Sequence, residues 1–198
     1  MARRLAASGF YVLLPNLYYR LGVMEHGPPP LPTDTEGRRQ ITHMVSSLSV
    51  PMIMDDTKAL LDYIDKQPAA TTPGLGCVGY CMSAQFAINA AARFSDRIVA
   101  AASIYGTGLM TDRPDSPHLA ARQTHAELYF ACAEIDEWTP LSTIEALRHD
   151  FAQAGVPATV ELYPDVEHGF AFPERATYDE PAAERHWERL LALFHRDS

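Results

Sequence analysis

From Leu75 to the C-terminus, short apolar runs alternate with longer amphipathic stretches, and nothing else in the 198 residues constrains the fold as strongly. Leu75–Tyr80 reads as a strand, followed by an alanine-rich helix over Ser83–Phe94. Ile98–Tyr105 and Glu127–Ala133 read as two further strands. Leu141–Ala154 is predicted as a helix closed by Gly155, Thr159–Tyr163 as a strand and Ala182–His195 as a final helix. Runs that are apolar at nearly every position belong to strands covered on both faces, and helices between such strands make the sheet parallel. The expected class is therefore α/β with a mostly parallel sheet. There is no internal repeat, low-complexity tract or linker, so one domain over 1–198 is expected.

The N-terminal third is less regular. Residues 1–8 read as the end of an amphipathic helix stopped by Gly9. Phe10–Pro15 reads as a short buried strand closed by proline. An irregular stretch from Asn16 to about Thr35 contains Pro28, Pro29, Pro30 and Pro32, and loops of this length are more often functional or mobile than structural. A helix is expected within Ser46–Gln67, clearest over Thr57–Ile64 and ending before Pro68.

Charge and cysteine usage remove several function classes. A formal net charge of −9 argues against a nucleic-acid surface and against docking on an anionic membrane. No apolar run approaches the roughly 18–20 residues that span a bilayer, and the first nine residues lack the apolar core of a signal peptide. Three cysteines are too few and odd in number for a secreted disulfide framework, so a reduced, cytoplasmic setting is expected. Cys77 and Cys81 are spaced unlike a zinc pair and lack a matching second pair, so no metal is expected.

Chemistry concentrates at three strand ends. Gly79-Tyr80-Cys81-Met82-Ser83 lies at a strand-to-helix junction, where a tight turn holds a nucleophile in a strained conformation. There the amino end of the next helix favours the thiolate, and the Met82 N–H faces a developing oxyanion. The plainer reading of Cys81 is a small buried apolar residue, and for Cys77 and Cys132, within strands, it is the preferred one. Glu134-Ile135-Asp136-Glu137 follows the third strand, and Asp165-Val166-Glu167-His168 follows the fourth. Asp136 could orient a histidine or cap the helix that follows it, and Glu134 is a rival acid. The other seven histidines have no strand before them. Nucleophile, acid and histidine thus occur in the order of an α/β-hydrolase, and right-handed crossovers bring the three strand ends to one sheet edge.

On these residues the chain resembles the dienelactone hydrolase (carboxymethylenebutenolidase) family of the α/β-hydrolase superfamily. Leu5–Tyr18 resembles the family's helix-and-strand entry, Gly79–Ser83 its Gly-x-Cys-x-Gly elbow, Ala133–Pro140 its acid turn and His168–Phe170 its histidine turn. Arg175, Tyr178 and Ala182–Leu190 resemble its C-terminal tail. The resemblance implies a three-layer α/β-hydrolase fold, with Cys81 as nucleophile, His168 as base and later acid, and Asp136 as its orienter. It implies hydrolysis of a small ester or lactone through a thioester, with Met82 in the oxyanion hole and no metal or organic cofactor. Tyr18, Arg20 and Phe172 are placed at the substrate.

Three departures qualify this. Ser83 stands at the elbow's second glycine. Phe172 stands four residues after the histidine, where relatives that take anionic dienelactones present arginine, so a neutral or weakly polar substrate is expected unless Arg20, Arg38 or Arg39 substitutes. The family's hairpin and central strand, with its second oxyanion donor, have no counterpart before the first helix, so a sheet lacking its N-terminal strands is expected. An open sheet centre of that kind favours a homodimer. Besides the hydrolase reading, a non-catalytic scaffold and an acyl transferase using the same residues are both consistent with the sequence.

Overall fold

In the computed structural model, residues 1–22, 33–71 and 74–196 are described. The chain forms two compact units, 1–70 and 71–198.

The second unit is built on four parallel strands in spatial order β1-β2-β3-β4: β1 (Leu75–Tyr80), β2 (Ile98–Ile104), β3 (Glu127–Ile135) and β4 (Ala158–Glu167). Val78 pairs with Ala102, Ala102 with Tyr129 and Tyr129 with Thr159, which fixes the register across the sheet. Ala100, Ala101, Ala102 and Ile104 of β2 are all essentially inaccessible, so this strand is covered on both faces and shows no alternation. Small side chains there let helices approach closely. α4 (Ala84–Arg93) packs on β1 and β2, and α7 (Glu180–Arg196) packs on β2 and β3. α7 buries Ala183, His186, Trp187, Leu190, Leu193 and Phe194, the spacing of one helical face. α6 (Leu141–Ala154) lies against β4 and stops at Gly155, whose φ of 66° reverses the chain where a side chain would be strained. A short α5 (Pro117–Ala121) packs on α4.

Apart from α5, which the sequence reading did not include, the strands and helices of this unit lie where the sequence puts them, with β3 and β4 longer than predicted. β4 continues through Pro164 to Glu167, with Asp165 at a φ of 59°. The Asp165 N–H is taken up by the Glu134 carboxylate at 2.8 Å.

The first unit contains α1 (Ala2–Ala7), α2 (Thr35–Ser46) and α3 (Val50–Ile64). Phe10–Pro15 is not a strand: the segment has no place in the four-strand ladder, and Leu14 is 81% exposed. A strand exists through backbone groups shared with a neighbour, and apolar content alone does not supply one. α2 was not anticipated from the sequence, and it buries no side chain. Asp34 caps it, accepting from Gly37 N at 2.9 Å. The helix expected within Ser46–Gln67 is α3, which starts at Val50 and ends before Pro68. Ser49 is extended and caps α3, and Pro51 sits in its first turn, where a missing N–H leaves no bond unmade. The prolines at 28–30 and 32 lie outside the described residues.

Candidate active site

Each of the four parallel strands ends in a residue of one cluster: Cys81 after β1, Tyr105 after β2, Asp136 at the end of β3 and His168 after β4. Parallel strands deliver their carboxyl ends to the same edge, so residues far apart in sequence converge there.

Cys81 opens a 3₁₀ turn, Cys81–Ser83, between β1 and α4, and has a φ of 55°. Positive φ is unfavourable for any residue with a Cβ, so the surroundings must hold it there. Two neighbours do so. Gly79 lets the turn fold back onto the strand, since a Cβ at 79 would lie 2.3 Å from the Ser83 carbonyl oxygen and 2.6 Å from the Ala84 Cα. The Ser83 hydroxyl then closes the turn, accepting from Tyr80 N at 2.9 Å and donating to Tyr80 O at 2.8 Å. Tyr80 is braced in turn by buried His186, whose Nε2 lies 3.2 Å from its hydroxyl and whose Nδ1 contacts the Ala183 carbonyl. Met82 follows Cys81 in the turn, where backbone N–H groups have no carbonyl one turn earlier to bond.

Asp136 is buried, with one oxygen on each task. Oδ1 accepts from Trp138 N at 2.9 Å and Thr139 N at 3.3 Å, and Oδ2 lies 2.8 Å from His168 Nδ1. The carboxylate therefore both caps its own turn and holds the histidine. Glu134, the rival acid, is engaged with Asp165 N. For the His168 ring the largest single influence is burial, which favours the neutral form. Hydrogen bonds and charge from Asp136 and Cys81 together outweigh it and raise the ring from 6.5 to about 9. Thr177 Oγ1 donates to the His168 carbonyl at 3.0 Å, and Gly169, at a φ of 94°, permits the sharp turn beyond it.

The segment Tyr105–Thr107 joins the three and was not singled out from sequence. Thr107 N donates to Cys81 O at 3.2 Å, Gly106 O accepts from Thr139 Oγ1 at 2.7 Å, and the Tyr105 ring meets the His168 ring edge-on at 5.0 Å. Its position just past an apolar strand is the signal that could have identified it.

Phe172 lies edge-on to Tyr80 at a centroid distance of 5.2 Å, in the same unit as this cluster. Tyr18 and Arg20 belong to the first unit. Tyr18 N is held by Asn16 Oδ1 at 3.0 Å, and the Arg20 guanidinium makes two 2.6 Å bonds to Asp56. Burial pushes the thiols of Cys77 and Cys132 up to about 12, and the Cys77 thiol lies 3.3 Å from the Ala87 carbonyl. Among the described residues there is no group of three or more His, Cys, Asp and Glu side chains arranged to hold a metal ion, and no helix is long and apolar enough to cross a membrane.

A parallel sheet with helices packed on it, a strained residue at a strand-to-helix turn, and an acid–histidine pair at later strand ends define an α/β-hydrolase. The family model for the "Dienelactone hydrolase family" matches residues 1–198, and the chain belongs to that family. It is 26% identical over 198 residues to a Methylorubrum extorquens protein named "Putative carboxymethylenebutenolidase", covering 98% of this chain and 65% of that one. A Synechocystis protein of the same name is 25% identical, with 98% and 78% covered. A crystal structure titled as a "Putative Dienelactone Hydrolase" from Klebsiella pneumoniae superposes with a TM-score of 0.83 at 25% identity, covering 98% of this chain and 78% of that one. The chain thus spans about two thirds to four fifths of these relatives' lengths.

Proposed function

We propose that this chain hydrolyses a small neutral or weakly polar ester or lactone, with Cys81 as nucleophile, His168 as base and then acid, and Asp136 as the group that orients His168. The observation that supports this most is the convergence of Asp136 and Cys81 on one imidazole, with Cys81 held at positive φ. With His168 Nδ1 bonded to Asp136, Nε2 is the nitrogen left to take the Cys81 proton. The sulfur attacks the acyl carbon, the carbonyl electron pair moves to oxygen, and the Met82 N–H stabilises that charge. Collapse expels the alcohol, which takes its proton from His168, and leaves a thioester. Water, deprotonated by His168, then releases the acid and returns the thiol. A lactone keeps both fragments in one molecule and gives a hydroxy acid.

Phe172, where an arginine would suit an anion, supports an uncharged substrate beside the cluster. Tyr18 and Arg20 enter this reading through the family resemblance alone, and the Arg20 charge is already matched by Asp56.

The test is hydrolysis of p-nitrophenyl acetate by the chain and by Cys81→Ala. Turnover that disappears in the variant is expected. Equal rates in both, or no turnover by the folded wild type, would overturn the proposal.

A further inference from the structure

Tyr105 carries two features that packing does not explain. Its backbone has a φ of 37°, a strained conformation for a bulky residue, and such strain concentrates at functional sites. Its side chain is 2% exposed, yet its hydroxyl has no hydrogen-bond partner among the described residues. A hydroxyl shut away from water without a partner is destabilising, and phenylalanine would fill the same space without that penalty. The residue is also central to the cluster. Its ring packs edge-on against His168 at 5.0 Å and Phe170 at 5.2 Å. Burial, foremost, and the charges of Tyr80 and Cys81 push the phenol up, while Arg175 opposes them, so the group stays protonated and able to donate. The Tyr105 ring lies 5.9 Å from that of Tyr80, the residue before Cys81, and Thr107 N, two residues on, donates to the Cys81 carbonyl at 3.2 Å, so Tyr105 stands at the nucleophile's end of the sheet.

We propose that Tyr105 is a further catalytic residue, whose buried hydroxyl donates its hydrogen bond to the carbonyl oxygen of an acyl group attached at Cys81 as that oxygen becomes negative. This rests on the hydrolase reading above. Formation of the S–C bond moves the carbonyl pair onto oxygen. Tyr105 shares its proton with that oxygen without giving it up, and the interaction weakens when the pair returns and the leaving group departs. The hydroxyl is then a second oxyanion donor beside the Met82 amide, and it gains its partner only during the reaction.

Because the hydroxyl bonds to no described residue in the resting protein, Tyr105→Phe should fold with an unchanged or higher melting temperature. With p-nitrophenyl acetate its kcat should fall about 10²-fold while KM holds, the effect of losing one oxyanion donor. Alkylation of Cys81 by iodoacetamide, a displacement that builds no oxyanion, should proceed at the wild-type rate. Wild-type hydrolysis by Tyr105→Phe, with Cys81→Ala inactive, would overturn this inference and leave the hydrolase reading standing. Alkylation and hydrolysis falling together would also overturn it, since the ring would then be supporting His168. Hydrolysis that survives in Cys81→Ala would instead remove the hydrolase reading, and this inference with it.

Discussion

Asp136→Asn separates the electrostatic role of the carboxylate from its structural one. The amide oxygen can keep the two bonds that Oδ1 accepts from Trp138 N and Thr139 N, so the turn after β3 should survive. The amide NH₂ then replaces Oδ2, 2.8 Å from His168 Nδ1, and two donors would meet. The ring relieves this by moving its proton to Nε2, the nitrogen that the proposed mechanism requires free for the Cys81 proton. A fall in kcat of about 10⁴-fold with the fold retained is the expected size for a wrong-tautomer substitution. The proton inventory gives an independent magnitude. Raising His168 from 6.5 to about 9 corresponds to about 3 kcal/mol of favourable interaction with the protonated ring. The folded value lies above the unfolded one, so this contribution is fully present below about pH 6.5 and is lost as pH rises through about 9. In Asp136→Asn the His168 midpoint should drop by at least about one pH unit, as burial meets less opposition. Titration of the His168 ring by NMR reads the midpoint, and urea unfolding at pH 6 and pH 10 reads the linked stability. A midpoint unmoved by the substitution would refute the assignment of Asp136 as the partner that sets His168.

Two further substitutions test other parts of the site. Gly79→Ala should destabilise by ~1–3 kcal/mol in urea unfolding, because its Cβ meets backbone rather than a yielding side chain. Turnover should fall by about 10²-fold if the turn shifts Cys81 by about 1 Å. Arg20→Ala should leave KM for a neutral ester unchanged, because the guanidinium is held by Asp56. A tenfold rise in KM would return Arg20 to the substrate.

What was readable in the sequence was what depends on local pattern. The Ile98–Ile104 strand is apolar at all but Ser103 because both its faces are covered, and α6 carries its stop signal in Gly155. The three strand-end residues were readable because a parallel sheet turns sequence order into spatial proximity. Between the two acids of one short turn, the residues alone left Glu134 as a rival and the family resemblance pointed to Asp136; the geometry puts the Asp136 carboxylate on the histidine and Glu134 on Asp165 N. Tyr105 was missed because its signals, a backbone angle and an unmatched hydroxyl, exist only in three dimensions. Phe10–Pro15 failed for the opposite reason. Its composition suits a strand, but a strand is a relation between two segments, and apolar content says nothing about a neighbour.

The Ser83 hydroxyl, bonded both ways to the Tyr80 backbone, bears on how family patterns should be used. A glycine at that position serves the elbow by offering no obstacle, a permissive solution. Serine serves it by closing a small ring of bonds, a constraining one. The two are alternative answers to one geometric demand, and a search that required glycine there would discard chains that meet the demand by other means. At position 83 of this chain, then, residue identity alone misjudges what the turn gains.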